Sequence, residues 1–166
     1  MKSLVAVILF AGTFIQTLNL EAKVTVAFLQ VRNYHGKIVQ LEPGGQFAHM
    51  AISYKGMWLH ARPVKGVELV STEKLSQIGV IQEQIELSDI EELDENKVAK
   101  FMGKPFDGAY SWNDDAIYCS ELVAKLLGLR PTPMTFDSAL WPPEYQALSG
   151  KLGLSPDDIY KILSHR

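Results

Sequence analysis

The Lys55-Gly56 dipeptide lies between two segments that are rich in strand-forming residues, QFAHMAISY (46–54) and MWLHAR (57–62). A two-residue connection that ends in glycine suits the tight turn of a β-hairpin. The hairpin fixes the strand register at this point of the chain, and register decides which side chains share a face. We therefore predict an antiparallel pair of strands on either side of this turn.

The predicted hairpin brings two histidines together. If Tyr54 pairs with Met57, then His60 lies opposite Ala51 and one diagonal step from His49. Diagonal neighbours on one face of a sheet are roughly 7–8 Å apart at the backbone. Both imidazoles are therefore predicted to project from the same face, close enough for one ring to orient the other.

The rest of the chain divides into strands followed by helices. Further strands are predicted at 23–31, 36–41, 66–71 and 78–87, where β-branched residues alternate or cluster between turn signals. Three helices are predicted: one from a capping box of Ser88 and Glu91 to Phe101, one over 119–127, and one from Ser155-Pro156. This order is typical of an α+β fold with a mostly antiparallel sheet packed on helices.

The first 22 residues have the pattern of an export signal. Lys2 precedes an apolar run from Leu4 to Ile15, and a more polar stretch ends at Ala22. The run is shorter than the roughly 18–20 apolar residues that a membrane span needs. We predict a signal peptide at 1–22, no membrane span after its cleavage, and a periplasmic or secreted protein; an uncleaved anchor or a buried strand is the alternative.

Chain length and net charge bear on the number of domains and on the partners that the protein can bind. The chain has 166 residues and a net charge of −3, which fits one domain at 23–166 and gives no basic surface for nucleic acid. We expect a monomer.

Cys119 is the only cysteine of the chain and begins a predicted helix. Free N–H groups and the helix dipole in the first turn favour a thiolate, and the Cys119 N–H suits an oxyanion. The spacing places Cys119 on one face with Leu122, Val123 and Leu126, so it points at the sheet. A plain buried cysteine and a zinc site of Cys119 with the two histidines, which lacks an obvious fourth ligand, are the alternatives.

Two segments, GGQFAHMAISYKGMWLHARPVKGVELV and KPFDGAYSWNDDAIYCSELVAKLLG, resemble the circularly permuted papain-like hydrolases of the NlpC superfamily. The likeness is to the YiiX/YebB-like group in particular, with lecithin:retinol acyltransferase-like proteins as distant relatives. The pattern YCSELV is the most specific piece, and AHMAI with its downstream HA is the second.

The resemblance implies a site and a chemistry. It makes Cys119 the nucleophile and oxyanion N–H donor, His49 the general base and His60 the third, orienting residue, with no metal and no cofactor. Phe106 replaces the tyrosine of the family pattern P-Y-D and takes no catalytic role. Tyr118, Trp58 and Phe106 are candidate substrate contacts, and burial in the core is the alternative for these aromatic residues.

The reaction that follows is cleavage of an amide or ester bond through an acyl-thioester. The expected substrate is a small molecule or peptide of the cell envelope, such as a stem peptide or an N-acyl amide. A lipid acyltransferase-like enzyme and a catalytically inactive envelope-binding module of the same fold are the alternative functions.

Overall fold

A five-stranded antiparallel sheet forms the centre of the protein. The computed structural model describes residues 23–166, and the predicted signal peptide at 1–22 lies outside them. The sheet order is β4-β3-β2-β1-β5. Its strands are β1 (Thr25–Gln30), β2 (His49–Tyr54), β3 (Met57–Arg62), β4 (Gly66–Val70) and β5 (Val80–Glu86).

The predicted hairpin is confirmed. Tyr54 pairs with Met57, and Ile52 pairs with Leu59. Lys55 and Gly56 both have positive φ, at 48° and 73°, as a type I′ turn requires.

The strand predicted at 36–41 is wrong. Only an isolated bridge between Arg32 and Ile38 forms there, although Val39 donates a backbone hydrogen bond to Val31. Because β1 already pairs with β2 on one side and β5 on the other, it has no open edge for another full strand. The segment folds instead as a loop.

Residues 23–166 form four α-helices: α1 (Thr72–Leu75), α2 (Glu95–Phe101), α3 (Cys119–Leu127) and α4 (Pro156–Ser164). The predictions for α3 and α4 are confirmed, and Ser155 caps α4. The prediction that the preceding helix begins at Ser88 is wrong. Helix α2 begins after Asp94, whose carboxylate accepts hydrogen bonds from the backbone N–H groups of Asn96 and Lys97. No helix within residues 23–166 combines the length and apolarity needed to cross a membrane.

Short elements complete the chain. A two-stranded ribbon pairs β6 (Thr132–Pro133) with β7 (Leu152–Gly153), and a 3₁₀ helix spans Pro143–Leu148.

The core has two parts. Helix α3 packs on β2 and β3 in the larger part, where Cys119 joins Met50, Ile52, Leu59 and Leu122. The smaller part lies on the side of α1 and contains Ala27, Leu29, Ala51, Trp58, Val70 and Leu75. The helix that begins with Cys119 is thus fixed against the strands that carry His49 and His60.

Candidate active site

Cys119 is the first residue of α3, and Tyr118 is its N-cap. The buried Glu121 carboxylate accepts a hydrogen bond from the Tyr118 N–H at 3.3 Å and lies 2.7 Å from the Lys125 ammonium. Burial raises the pKa of Glu121 to about 7, against the effect of Lys125. A buried carboxylate and a nearby cation therefore hold the turn that presents the thiol.

The environment of Cys119 favours the protonated thiol. Cys119 is only 8% exposed, and burial raises the pKa of its thiol to about 11. The nearby backbone amide of Met50 opposes this shift in pKa. Because Met50 directly follows His49, the thiol lies near the start of β2.

The two predicted histidines form a hydrogen-bonded pair. His49 Nε2 lies 2.8 Å from His60 Nδ1, and the rings meet edge to face at 85°. Burial lowers the pKa of His49 to about 3, with contributions from His60 and Arg62. Burial also lowers the pKa of His60 to about 4. Both imidazoles are therefore neutral at pH 7.

A carboxylate lies beyond the second histidine. Glu68 on β4 is the cross-strand partner of His60, and its Oε1 atom is 3.6 Å from His60 Nε2. The same oxygen accepts a 2.6 Å hydrogen bond from Arg62 Nε. Sequence reasoning missed Glu68, although it is the only charged residue in the apolar pattern GVELV.

Cys119 and His49 line one cavity. Among residues 23–166, no hydrogen bond joins the thiol to His49. The bond to His60 uses His49 Nε2, which leaves Nδ1 available to a partner in the cavity. The arrangement can thus supply a neutral base to the thiol once the two groups come within hydrogen-bond reach.

The cavity has a volume of about 370 Å³. One part of its wall is aromatic and another is polar. The aromatic lining residues are Phe106, Tyr110, Tyr118, Phe136 and Trp141, and the polar ones include Glu42, Ser155 and Asp158.

Tyr110 is central to the aromatic wall. The centroid of its ring lies 5.3 Å from that of Tyr118 and 5.6 Å from those of Phe136 and Trp141. Its backbone has φ of +48°, a conformation that costs energy in a residue with a side chain. Hydrogen bonds from the amides on either side, Ala109 and Ser111, to Asp107 hold the loop in this form. The strained residue therefore presents an aromatic ring beside Cys119.

Two of the three predicted substrate contacts reach the cavity. Tyr118 and Phe106 line it. Trp58 lies in the smaller core cluster instead, where its indole N–H donates to the Thr72 hydroxyl at 3.0 Å. Trp58 shares its face of β3 with His60 but lies next to the Lys55-Gly56 turn, and it is not among the residues that line the cavity.

Sequence reasoning missed the far wall of the cavity. Phe136 and Trp141 come from a segment without regular periodicity, and Trp141 is fixed by a 2.7 Å hydrogen bond from its indole N–H to the Leu41 carbonyl. A contact between residues 100 positions apart leaves no local pattern. The three aromatic residues within 136–145 were the signal that the sequence offered.

Within residues 23–166, no group of three or more His, Cys, Asp and Glu side chains is arranged to hold a metal ion. His49 Nε2 and His60 Nδ1 face each other at 2.8 Å and share one hydrogen bond.

Comparison with known proteins supports a likeness of fold. No protein-family profile matches the sequence, and no curated protein matches it. The structure is similar to the crystal structure of the metalloprotein YiiX from Escherichia coli O157:H7, with a TM-score of 0.56 and 21% identity over 83% of this chain and 91% of that chain. At this identity the likeness concerns the fold, and the chain has a YiiX-like α+β fold.

Proposed function

We propose that the protein is a cysteine hydrolase of the permuted papain-like type, which cleaves an amide or ester bond through an acyl-thioester. The observation that carries the proposal is the cavity shared by the helix-starting Cys119 and by His49, whose ring is held by His60. A thiol, a base and a group that orients the base are the parts that nucleophilic acyl transfer needs.

The steps follow from the protonation states. His49 Nδ1 removes the proton of the Cys119 thiol as the sulfur attacks the substrate carbonyl and a C–S bond forms. The resulting imidazolium donates this proton to the leaving amine or alcohol as the C–N or C–O bond breaks. His49 then takes a proton from water as the water oxygen attacks the thioester carbonyl. The C–S bond breaks and His49 returns the proton to the sulfur, so the products are a carboxylic acid and the restored thiol.

The N-terminus of α3 supplies one oxyanion donor. The N–H of the first helical residue has no partner within the helix, and the helix dipole favours negative charge at this end. In the proposed reaction the Cys119 N–H stabilises the tetrahedral oxyanion that forms on the attacked carbonyl.

The cavity lining favours a substrate with an apolar portion. The aromatic wall around Tyr110, Phe136 and Trp141 suits an acyl chain or an apolar side chain. On the polar side, Glu42 accepts a hydrogen bond from the Ser155 hydroxyl and forms an ion pair with Lys161. We therefore favour an N-acyl amide, or an envelope peptide with an apolar residue, as the substrate.

Alkylation of the single thiol tests the proposal directly. In wild type, the rate of reaction with iodoacetamide should reach a plateau near neutral pH, because His49 supplies the base. In His49→Ala the rate should be lower at pH 7 and should keep rising toward the raised thiol pKa of about 11. Identical profiles, with a thiol pKa near the free value of about 8.5, would refute an activated nucleophile.

Product analysis tests the reaction class. Wild type should hydrolyse members of a panel of N-acyl amides, acyl esters and peptidoglycan stem peptides, whereas Cys119→Ser should not. Mass spectrometry of the quenched enzyme should show an acyl adduct on Cys119. Transfer of the acyl group to an added amine or lipid in preference to water would instead indicate an acyltransferase.

We also propose that the protein acts in the cell envelope, since the sequence of residues 1–22 has the pattern of an export signal. Expression of the full chain followed by fractionation and N-terminal sequencing should place it in the periplasm or medium, with a mature end near Lys23. Recovery of the uncleaved chain in the cytoplasm would contradict this part of the proposal.

A binding module is the second candidate function. It is favoured by the raised pKa of Cys119 and by the lack of a hydrogen bond from its thiol to His49 among the described residues. A binder would retain affinity for an envelope ligand in Cys119→Ala and would form no acyl adduct in wild type. The alkylation profiles and the adduct together separate the two functions.

A further inference from the structure

We propose that Glu68 is a positioning residue that sets the tautomers of both His60 and His49. This inference rests on the proposed function for its catalytic consequence. Its structural content, the position of two protons in the imidazole pair, is independent of any activity.

The geometry of β3 and β4 brings the carboxylate to the far side of the histidine pair. His60 is fully buried, and its Nε2 atom makes no hydrogen bond among the described residues. Glu68 is directly opposite His60 in the strand register, with Oε1 at 3.6 Å from this nitrogen. A buried ring nitrogen without a partner is costly, and the carboxylate is the acceptor that faces it.

The carboxylate decides which nitrogen of His60 carries the proton. A neutral imidazole has one N–H and one acceptor nitrogen. The negative charge of Glu68 favours the proton on His60 Nε2, so Nδ1 becomes an acceptor. His49 must then donate from Nε2 across the 2.8 Å bond, which makes His49 Nδ1 the acceptor.

This tautomer is the one that the proposed reaction requires. With His49 Nδ1 as an acceptor, the free nitrogen of the pair can remove a proton from Cys119. In the opposite tautomer His49 Nδ1 would carry a proton and could not act as a base. Glu68 therefore acts on the thiol through two imidazoles and without contact to the substrate.

Arg62 keeps the carboxylate ionised and in place. Its Nε atom bonds the same Oε1 atom at 2.6 Å, and β3 places Arg62 two residues after His60, on the same face. The guanidinium competes with His60 for this oxygen, which accounts for a His60–Glu68 distance longer than a hydrogen bond. Even at 3.6 Å the charge of Glu68 biases the nearby ring.

The tautomers can be read by long-range ¹H–¹⁵N NMR of the full chain with ¹⁵N-labelled histidine at pH 7. We expect protons on Nε2 of both His49 and His60 in wild type, and a shift of both toward Nδ1 in Glu68→Ala. Glu68→Gln removes the charge but keeps a carbonyl acceptor, so it should shift both tautomers in the same direction by a smaller amount. Glu83→Ala removes an exposed glutamate from the other edge strand and should change nothing; Glu68→Leu replaces Glu68→Ala if that variant does not fold.

Alkylation of Cys119 at pH 7 measures the consequence. We expect Glu68→Ala to lower the rate about tenfold and Glu68→Gln to lower it by less. Unchanged tautomers in the folded Ala or Leu variant would overturn the role of Glu68. If His49→Ala leaves the alkylation rate unchanged, the proposed hydrolase fails, while the NMR result still decides the proton positions.

Discussion

The Nε2 atom of His49 lies 2.8 Å from the Nδ1 atom of His60 on the neighbouring strand. Both rings are buried, so neither reaches enough solvent to satisfy these two nitrogens. The bond thus fixes the orientation of His49 relative to the cavity, and it leaves one nitrogen of His49 for the thiol.

Removal of the second ring should disorganise the first. We predict that His60→Ala lowers the rate of Cys119 alkylation at pH 7 by about 10- to 100-fold, as the loss of the hydrogen-bond partner of a metal-ligating histidine does. His60→Asn keeps a hydrogen-bond acceptor for His49 and should lower the alkylation rate less than His60→Ala does. Initial rates with iodoacetamide measure both effects.

His35→Ala is the matched control, because His35 is an exposed histidine in a loop. It should react like wild type. A His60→Ala variant that unfolds at the wild-type temperature and reacts at the wild-type rate would contradict the orienting role.

Local patterns were sufficient to predict the centre of this site. The Lys55-Gly56 turn fixes the register that joins His49 to His60, and the Ser155 cap marks the start of α4. The signals are local because turns and caps involve neighbours in sequence.

Contacts between distant segments were not predictable in the same way. Trp58 and His60 are two residues apart, yet only His60 reaches the second histidine, and Trp58 packs beside Leu75 of a short helix that the sequence did not indicate. The cavity wall at Trp141 depends on a bond to Leu41. Such placements follow from tertiary packing, which overrides local preference.

Acid should destabilise the protein through its buried histidines. The pKa of His49 falls to about 3 and that of His60 to about 4 in the folded state, against about 6.5 unfolded. Below pH 6.5 the unfolded chain binds protons that the folded chain excludes, so the free energy of unfolding decreases on acidification. Each proton contributes up to about 1.4 kcal/mol per pH unit until the folded pKa is reached.

Urea unfolding at several pH values between 7 and 4 tests this linkage in wild type and His49→Gln. The variant should lose less stability on acidification than wild type. Glu121, whose raised pKa of about 7 acts in the opposite direction, is present in both proteins, so the difference isolates the imidazole. If acidification lowers the free energy of unfolding equally in the two proteins, protonation of His49 does not destabilise the folded state.

Gly66 should not tolerate a side chain. It has φ of +68°, and an added Cβ would overlap the Lys104 carbonyl oxygen and lie 3.0 Å from Pro105 Cα. This contact joins β4 to the segment that carries Phe106. We predict that Gly66→Ala lowers the free energy of unfolding by about 3 kcal/mol, from backbone strain and overpacking together.

Gly56→Ala separates these two causes. Gly56 has nearly the same φ, +73°, but an added Cβ would meet nothing within 4 Å. Only the backbone strain applies there, so the loss should be about 1 kcal/mol. Equal losses in the two variants, measured by urea unfolding, would show that the close approach to Lys104 is unimportant.

Trp141 and Trp58 allow a comparison of the cavity with the opposite core. Trp141 lines the cavity and packs edge-on against Phe136 at 4.9 Å, whereas Trp58 packs in the cluster beside α1. We predict that Trp141→Leu raises KM about tenfold for an N-acyl amide with a long acyl chain, because apolar contact area is lost, and leaves kcat nearly unchanged. Trp58→Leu should lower the unfolding temperature without raising KM. A rise in KM in both variants, or only in Trp58→Leu, would contradict the assignment of the aromatic wall to substrate binding.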